Sequence, residues 1–198
     1  MKRVLVGLMV LWSVTAVVHA ANIGGQEVAT TVDLTYTSKY IWRGFDILDD
    51  TSAWQPSVNM DWGNGFSTNV WMSYAGSGGM TDLGGSRVDL TEYNYTLAYS
   101  GTAYENCPWR TNYSLGYRYY DYIDTDTQDN DVMEVFLTGA MPDLMDNGMV
   151  PHFAIFQMWP AHSDAQGLAA DYTGTIYLMG FNYDFTLEWN AFLCTQFF

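Results

Sequence analysis

Apolar and polar residues alternate with a period of two along most of the chain, which is the pattern of β-strands with two different faces. The clearest case is residues 54–62, where Trp54 and Val58 share one face and polar residues occupy the other. A Gly-Asn-Gly turn follows at 63–65, and residues 66–74 alternate again. The two segments therefore predict a β-hairpin.

Nine strands of this kind are predicted at roughly even spacing. Their expected bounds are about 28–37, 54–62, 66–74, 87–99, 108–120, 132–141, 149–159, 171–181 and 184–193. The connections after odd-numbered strands are long, and those after even-numbered strands are shorter, with the tightest turns at 63–65 and 182–184. Outer-membrane barrels show this asymmetry between short periplasmic turns and longer external loops.

Strand length favours a membrane barrel over a soluble β-sandwich. The predicted strands have about ten residues, whereas membrane strands need ~9–11 and soluble strands usually have ~5–6. A sheet in lipid must close, because every backbone N–H and C=O needs a partner. The expected fold class is all-β, a transmembrane antiparallel up-and-down β-barrel of about 8–10 strands. Because such barrels have even strand numbers, one strand is miscounted or missing at the C-terminus. A soluble sandwich with an aromatic core is the alternative.

The N-terminus predicts export. Residues 1–3 carry two basic side chains, 4–18 are a fifteen-residue apolar run, and Val18-His19-Ala20 fits a signal-peptidase site. Fifteen residues are too few for a membrane-spanning helix, which needs ~20. The expected organisation is a cleaved signal peptide at 1–20 and a barrel domain at 21–198, located in the bacterial outer membrane.

Composition excludes two classes of protein. The chain has 22 acidic and 7 basic residues, so it is not expected to bind nucleic acid. Its aromatic content of 17% argues against intrinsic disorder. Aromatic residues near strand ends are instead expected to form the girdles of a barrel at the lipid–water interface. They are Tyr36, Tyr40, Trp42, Trp54, Trp62, Tyr117 and Tyr119.

Three segments carry a resemblance to a known family. They are residues 37–44 (Thr-Ser-Lys-Tyr-Ile-Trp-Arg-Gly), 55–58 (Gln-Pro-Ser-Val) and 66–71 (Phe-Ser-Thr-Asn-Val-Trp). They resemble a family of uncharacterised bacterial outer-membrane-type proteins with an S-x-Y-x-W/F-R-G strand end, over about 28–181. A more distant similarity is to the MltA-interacting (OmpV-type) barrels. The resemblance implies a barrel of unassigned activity and brings no catalytic residues with it.

Charged residues on the polar strand faces are expected to point into the lumen. They are Asp33, Lys39, Arg43, Glu92, Arg110, Arg118, Glu134 and Glu188. If the first strand continues in phase, Lys39 and Arg43 point inward, while Tyr40 and Trp42 point outward. The two cations are then solvated rim residues or partners of the inward carboxylates. A small barrel is nearly filled by its own side chains, so the charges either form a salt-bridged plug or line a narrow pore.

An acidic cluster is predicted in one external loop. Its members are Asp121, Asp124, Asp126, Asp129 and Asp131. The spacing does not match an EF-hand, so a solvated loop is favoured, with no metal and no cofactor. A hydrolase is also disfavoured, because His152 and His162 are the only histidines after the predicted leader and no G-x-S-x-G segment exists.

The expected function is a small porin-like passive channel with an acidic outer rim that favours cations. The alternative is a non-conducting structural or adhesion barrel with a salt-bridged, plugged lumen. The expected partners are outer-membrane lipid and small solutes or cations.

Overall fold

The computed structural model describes residues 11–23, 25–76, 91–123, 131–162, 173–187 and 191–196. The strands in these ranges are β1 Leu11–Ile23, β2 Gln26–Thr37, β3 Ile41–Trp42, β4 Phe45–Asp46, β5 Ala53–Gly63, β6 Phe66–Ala75, β7 Thr91–Ala103, β8 Thr111–Tyr122, β9 Val132–Ala140, β10 Met149–Pro160, β11 Gly174–Leu187 and β12 Ala191–Gln196. Across the same ranges, no helix is both long enough and apolar enough to cross a membrane.

Ten of these strands form one sheet in the order β1-β2-β5-β6-β7-β8-β9-β10-β11-β12, and each is antiparallel to its neighbours. The predicted all-β, antiparallel, up-and-down architecture is therefore confirmed. The first eight predicted strands overlap β2 and β5–β11, whereas the ninth, at 184–193, overlaps both the end of β11 and the start of β12. Within the described residues, no ladder joins β1 to β12, so closure of the sheet into a barrel stays a prediction.

The strand β1 was not predicted. It pairs with β2 from Leu11↔Thr37 to Ile23↔Gln26, with a register shift between Val18 and Ala21. Residues 11–20 lie within the predicted leader, whose cleavage after Ala20 stays a prediction. Cleavage there would leave β2 as the edge of the sheet.

The predicted tight turn at 182–184 is wrong. The strand β11 runs through these residues to Leu187, and Asn182 pairs with both Val150 and Gln196. Asn182 and Asp184 alternate with Phe181 and Tyr183, so the period-two pattern continues through residues that otherwise favour turns. The connection between β11 and β12, at 188–190, lies outside the described residues.

The two faces of the sheet differ sharply in chemistry. Residues in register across β2, β5, β6, β7 and β8 show this for each face. One such row is Val32, Val58, Val70, Tyr95 and Tyr119, on what we call the apolar face. The adjacent row is Asp33, Ser57, Trp71, Asn94 and Tyr120, on the polar face. Large side chains of the apolar face are exposed, whereas the buried polar side chains Ser73, Glu92, Asn94 and Glu134 belong to the polar face.

The segment between β2 and β5 folds onto the polar face and forms the core of the molecule. We call residues 39–50, which contain β3 and β4, the inward hairpin. Its buried residues Tyr40 and Leu48 pack with Ala53 and Ala75, and Trp42 also packs beside Tyr120 and Met158.

The contacts of the inward hairpin indicate a curved sheet. Its side chains reach Trp71 on β6, Glu92 on β7, Glu134 on β9 and Phe156 on β10. Four strand spacings of ~4.8 Å would separate β6 from β10 by about 19 Å in a flat sheet. The inward hairpin contacts strands four positions apart in the sheet order, which favours a sheet that curves around it.

Candidate functional site

The turn of the inward hairpin aims one cation at the sheet. Ile41 pairs with Asp46 and Trp42 with Phe45, which leaves Arg43 and Gly44 as a two-residue turn. Both turn residues have positive φ, 48° and 89°, as a type I′ turn requires. Gly44 adopts this conformation without strain, whereas Arg43 has a Cβ atom, which disfavours a positive φ. The turn therefore fixes the direction in which the Arg43 side chain leaves the backbone.

Lys39 holds the other end of the inward hairpin together. Its ammonium group forms ion pairs with Asp50 and with Asp46, the latter at 2.9 Å. The hydrogen bonds to Asp50 and Asp46 raise the pKa of Lys39 to about 12. Burial alone would raise the pKa of Asp46, but hydrogen bonds from Lys39 and the Asp50 N–H lower it below 3.8.

The guanidinium of Arg43 is buried against the wall of the sheet. Its Nη2 lies 2.6 Å from Oε2 of Glu134, and the two side chains are 8% and 0% exposed. Its Nη1 donates to Sδ of Met158 at 3.5 Å. The guanidinium carbon lies 3.4 Å from the ring centroid of Phe156 and 4.3 Å from that of Trp42. A cation is thus held by a carboxylate, a thioether and two aromatic rings.

A second cation approaches the same carboxylate. Nη1 of Arg118 lies 3.6 Å from Oε1 of Glu134, and the Tyr120 hydroxyl donates to Oε2 of Glu134 at 3.1 Å. Arg118 also donates to Tyr120 at 3.3 Å and to Thr96 at 3.0 Å. Glu134 therefore lies at the centre of a buried network, which compensates for the cost of removing its charge from water.

A neighbouring carboxylate receives neutral donors instead. The Tyr40 hydroxyl donates to Oε2 of Glu92 at 3.2 Å, and the Asn94 amide donates to Oε1 at 2.8 Å. Burial, and then the charge of Glu92, raise the pKa of Tyr40 well above 10.0, so the phenol stays protonated. A cavity of about 10 Å³, a volume that matches about one water molecule, lies beside Glu92 and is also lined by Tyr40, Trp42, Ile47, Tyr122 and Met158.

The outward orientation predicted for Tyr40 and Trp42 is wrong. Tyr40 is 8% exposed and packs on Trp71, with ring centroids 5.7 Å apart, and Trp42 packs edge-on against Tyr120 at 6.2 Å. The strand β2 ends at Thr37, so the alternation of its side chains does not extend into the motif. Neither aromatic residue belongs to an interfacial girdle.

Three other residues were predicted to be lumen charges, and they have different surroundings. Asp33 lies on the polar face and accepts hydrogen bonds from Ser13, Thr15 and Thr35 at 3.1, 2.7 and 2.6 Å. Arg110 precedes β8 and pairs with Asp143 of another turn at 2.6 Å. Its side chain is 38% exposed. Glu188 lies outside the described residues.

The other predicted girdle residues lie on strands. Tyr36 and Trp54 pair across β2 and β5 with ring centroids 5.0 Å apart, and Trp54 is 46% exposed. Tyr117 and Tyr119 lie on the apolar face of β8, and the Trp62 indole donates to Thr68 at 2.8 Å.

A second aromatic cluster, not singled out from the sequence, lies at the opposite ends of the strands. Phe66 and Tyr99 are 5.0 Å apart, and Tyr99 and Tyr113 are 6.4 Å apart. The sequence signal for this cluster is the position of these aromatic residues near the ends of alternating strands.

Two members of the predicted acidic loop are described, and neither is a freely solvated loop residue. Asp121 belongs to β8, and Asp131 is 5% exposed. Asp131 accepts hydrogen bonds from the Tyr119 hydroxyl at 2.6 Å and from the Tyr122 N–H at 3.1 Å. Asp131 therefore ties β8 to the start of β9. Asp124, Asp126 and Asp129 lie outside the described residues.

The polar face is open at the end where the connections are short. A cleft of about 460 Å³ lies there, lined by Ser100, Thr102, Asn112, Ser114 and Thr138 and by two neighbouring residues. Ser100 and Ser114 are hydrogen-bonded at 3.1 Å, as are Thr102 and Asn112. The polar face is therefore filled by the inward hairpin at one end and lined by small polar groups at the other.

The sequence offered no direct signal for two residues of the Arg43 site. Phe156 and Met158 lie on β10, whose alternation is weak, although the structure pairs this strand regularly with β9 and β11. The pairing of Arg43 with Glu134 was one of the possibilities that the sequence left open. No family model, no curated protein and no solved structure matches the chain.

Proposed function

We propose that this chain is an exported β-barrel protein of the bacterial outer membrane and that the inward hairpin keeps its lumen closed. The observation that carries the proposal is the inverted distribution of the side chains. Leu97, Leu115 and Phe181 are 53, 51 and 45% exposed on the apolar face, whereas the ionisable Glu92 and Glu134 are 2 and 0% exposed on the polar face. Contact of these large apolar side chains with water would cost free energy, and contact with lipid removes that cost.

Strand dimensions support the same proposal. The strands β2 and β5–β11 have 9 to 14 residues, which suits tilted strands that cross ~30 Å of hydrocarbon. Aromatic pairs lie towards both ends of the strands, as Tyr36 with Trp54 and Phe66 with Tyr99. Such aromatic residues favour the interface between lipid and water.

The closed lumen gives this barrel a non-conducting, structural or adhesive role. The inward hairpin fills the polar face at the end with long connections, where Arg43 and Glu134 bind it to the wall. Arg43 and Glu134 are 8 and 0% exposed where they meet, so we expect the inward hairpin to block the path of a hydrated ion along this part of the polar face.

A small porin-like passive channel is the second candidate. The open polar cleft of about 460 Å³ favours it, because hydroxyl and amide groups such as those of Ser114 and Asn112 can line a water-filled path. The acidic composition of the chain would then favour cations over anions.

Planar-bilayer recording separates the two candidates. The refolded protein is compared with a variant in which residues 39–50 are replaced by a Gly/Ser linker. We expect no conductance steps from the unaltered chain and steps from the variant, because removal of the inward hairpin opens the lumen. Arg110→Ala, whose cation lies in an exposed turn, is the matched control and should stay closed. Steps from the unaltered chain would contradict the closed lumen and favour the channel.

A further inference from the structure

Arg43 is held in the way that a protein holds a cationic ligand. We call Glu134, Phe156, Met158 and Tyr120 the wall pocket, because all four belong to adjacent strands of the sheet, β8, β9 and β10. The guanidinium meets a carboxylate oxygen at 2.6 Å, a ring centroid at 3.4 Å and a thioether sulfur at 3.5 Å. The wall pocket thus provides charge, a flat stacking surface and a soft acceptor within reach of one cation.

The wall pocket requires a cation even without Arg43. The Glu134 side chain is 0% exposed, and its Oε1 has no hydrogen-bond partner among the described residues. Arg118 lies 3.6 Å away and is already bonded to Thr96 and Tyr120. A buried carboxylate that loses its closest cation keeps a large unfavourable charge energy. The wall pocket therefore has a driving force to bind another cation in place of Arg43.

The shape of the site selects a guanidinium group over an ammonium group. A planar guanidinium stacks on an aromatic ring and donates several N–H groups in its own plane, which an ammonium group cannot do. In this structure the ring of Phe156 is one stacking surface, and Glu134 accepts from the guanidinium.

We propose that the wall pocket is a binding site for small guanidinium compounds and that Arg43 is its tethered occupant. The inward hairpin supplies Arg43 at an effective concentration that is on the order of millimolar or higher, so a free ligand competes poorly in the unaltered chain. Removal of the Arg43 side chain frees the site. The proposal depends on the inward hairpin and the sheet, and it does not depend on insertion into a membrane.

The test is chemical rescue of Arg43→Ala by methylguanidinium chloride. Refolded protein in detergent is unfolded by heat with and without the compound. We expect the compound to stabilise Arg43→Ala with a dissociation constant on the order of 1 mM, as suits a ligand with few atoms. At ten times that concentration the folding equilibrium should shift by about 11-fold. The unaltered chain should shift far less, because Arg43 occupies the site.

Three controls make the result specific. Urea is planar and neutral, and sodium chloride matches the ionic strength, so neither should stabilise Arg43→Ala. Arg110→Ala loses a cation that lies in an exposed turn and should not be rescued. Addition of Glu134→Gln to Arg43→Ala removes the carboxylate and should abolish the response. Equal stabilisation of the single and double variants would overturn the proposal.

A variant that refolds poorly still gives an answer. If Arg43→Ala does not refold alone, methylguanidinium in the refolding buffer should restore the yield, whereas urea and sodium chloride should not. Failure to restore either stability or yield would overturn the proposal and leave the closed-lumen function untouched.

Discussion

The ion pairs of this chain differ in their surroundings, and their energies should differ accordingly. Arg43 and Glu134 are almost completely buried, whereas Arg110 and Asp143 are 38 and 45% exposed. Loss of one member of a buried pair leaves an unpaired charge in a medium of low dielectric constant, whereas water screens the exposed pair. The alternation of side chains predicted that Glu134 points inward. It could not predict how Arg43 reaches Glu134, because that depends on where β2 ends and on the direction of a turn.

Arg43→Ala should lower the free energy of unfolding by about 3–5 kcal/mol. Arg110→Ala should lower it by about 0–1 kcal/mol, because its partner stays solvated. Urea unfolding of both variants in the same detergent measures the two values. Equal effects would contradict the burial of the Arg43–Glu134 pair.

The inward hairpin should keep its Lys39 ion pairs between mildly acidic and strongly basic pH. Because the pKa of Asp46 lies below 3.8, its contribution to stability is present above that value and lost as the pH falls below it. Because the pKa of Lys39 is raised to about 12, its contribution persists until the pH rises past 10.5.

The stability difference between the unaltered chain and Asp46→Asn measures the acidic limit. It should be constant from pH 5 to pH 8 and shrink below pH 3.8. Asp143→Asn serves as the control at an exposed pair far from the inward hairpin. A difference that disappears already near pH 5 would contradict the lowered pKa of Asp46.

At the scale of elements, the strands were predictable and the short connecting element was not. Alternation predicts most of the strands, because each must present different chemistry to its two faces, but it is weak in β10 and did not predict β1. The inward hairpin has strands of two residues, which are too short for any periodic signal. Gly44 marked a turn, but the side to which the chain turns depends on contacts with distant strands. The prediction of a turn at 182–184 is wrong for the opposite reason, because residues that favour turns lie within a strand there.

Two strand glycines lie beneath phenylalanine rings of neighbouring strands. A Cβ at Gly116 would lie 2.3 Å from the ring of buried Phe136 and 2.7 Å from the backbone oxygen of Leu97. The three atoms nearest to a Cβ at Gly139 all belong to the ring of Phe153, the closest at 2.5 Å. Phe153 is only half-buried and can move, whereas the backbone of β7 cannot move without breaking its ladder.

Gly116→Ala should therefore destabilise the protein by about 1–3 kcal/mol, as overpacking typically does. Gly139→Ala is the matched control and should cost clearly less. Urea unfolding of the two variants gives the comparison. If Gly139→Ala proves the more damaging change, the packing of Phe136 on Gly116 is wrong.

At the scale of the whole molecule, the sheet is polar on its concave face and apolar on its convex face. A soluble sandwich would cover the apolar face with a second sheet, but large side chains on this face are exposed within the described part of the chain. The sequence predicted which residues share a face. It also predicted that the sheet closes into a barrel, and the described strands form no closing ladder.

A charge on the apolar face tests this arrangement energetically. Leu97 lies at the middle of β7 and is 53% exposed. Leu97→Arg should destabilise the protein in a bilayer by about 2–4 kcal/mol, because lipid at mid-depth solvates a cation poorly. Tyr104→Arg, at an exposed position beyond the end of β7, is the control and should be nearly neutral. An effect within about 0.5 kcal/mol for Leu97→Arg would indicate a surface that faces water.

The most direct test of the central claim compares nitroxide labels at Leu115 and Ser114 in lipid vesicles. These residues are neighbours on β8, but Leu115 is on the apolar face and Ser114 lines the polar cleft. Oxygen, which concentrates in lipid, should relax the label at 115 more than a water-soluble nickel chelate does. The label at 114 should show the reverse order. Preference for the nickel chelate at both positions would contradict the claim that lipid covers the apolar face.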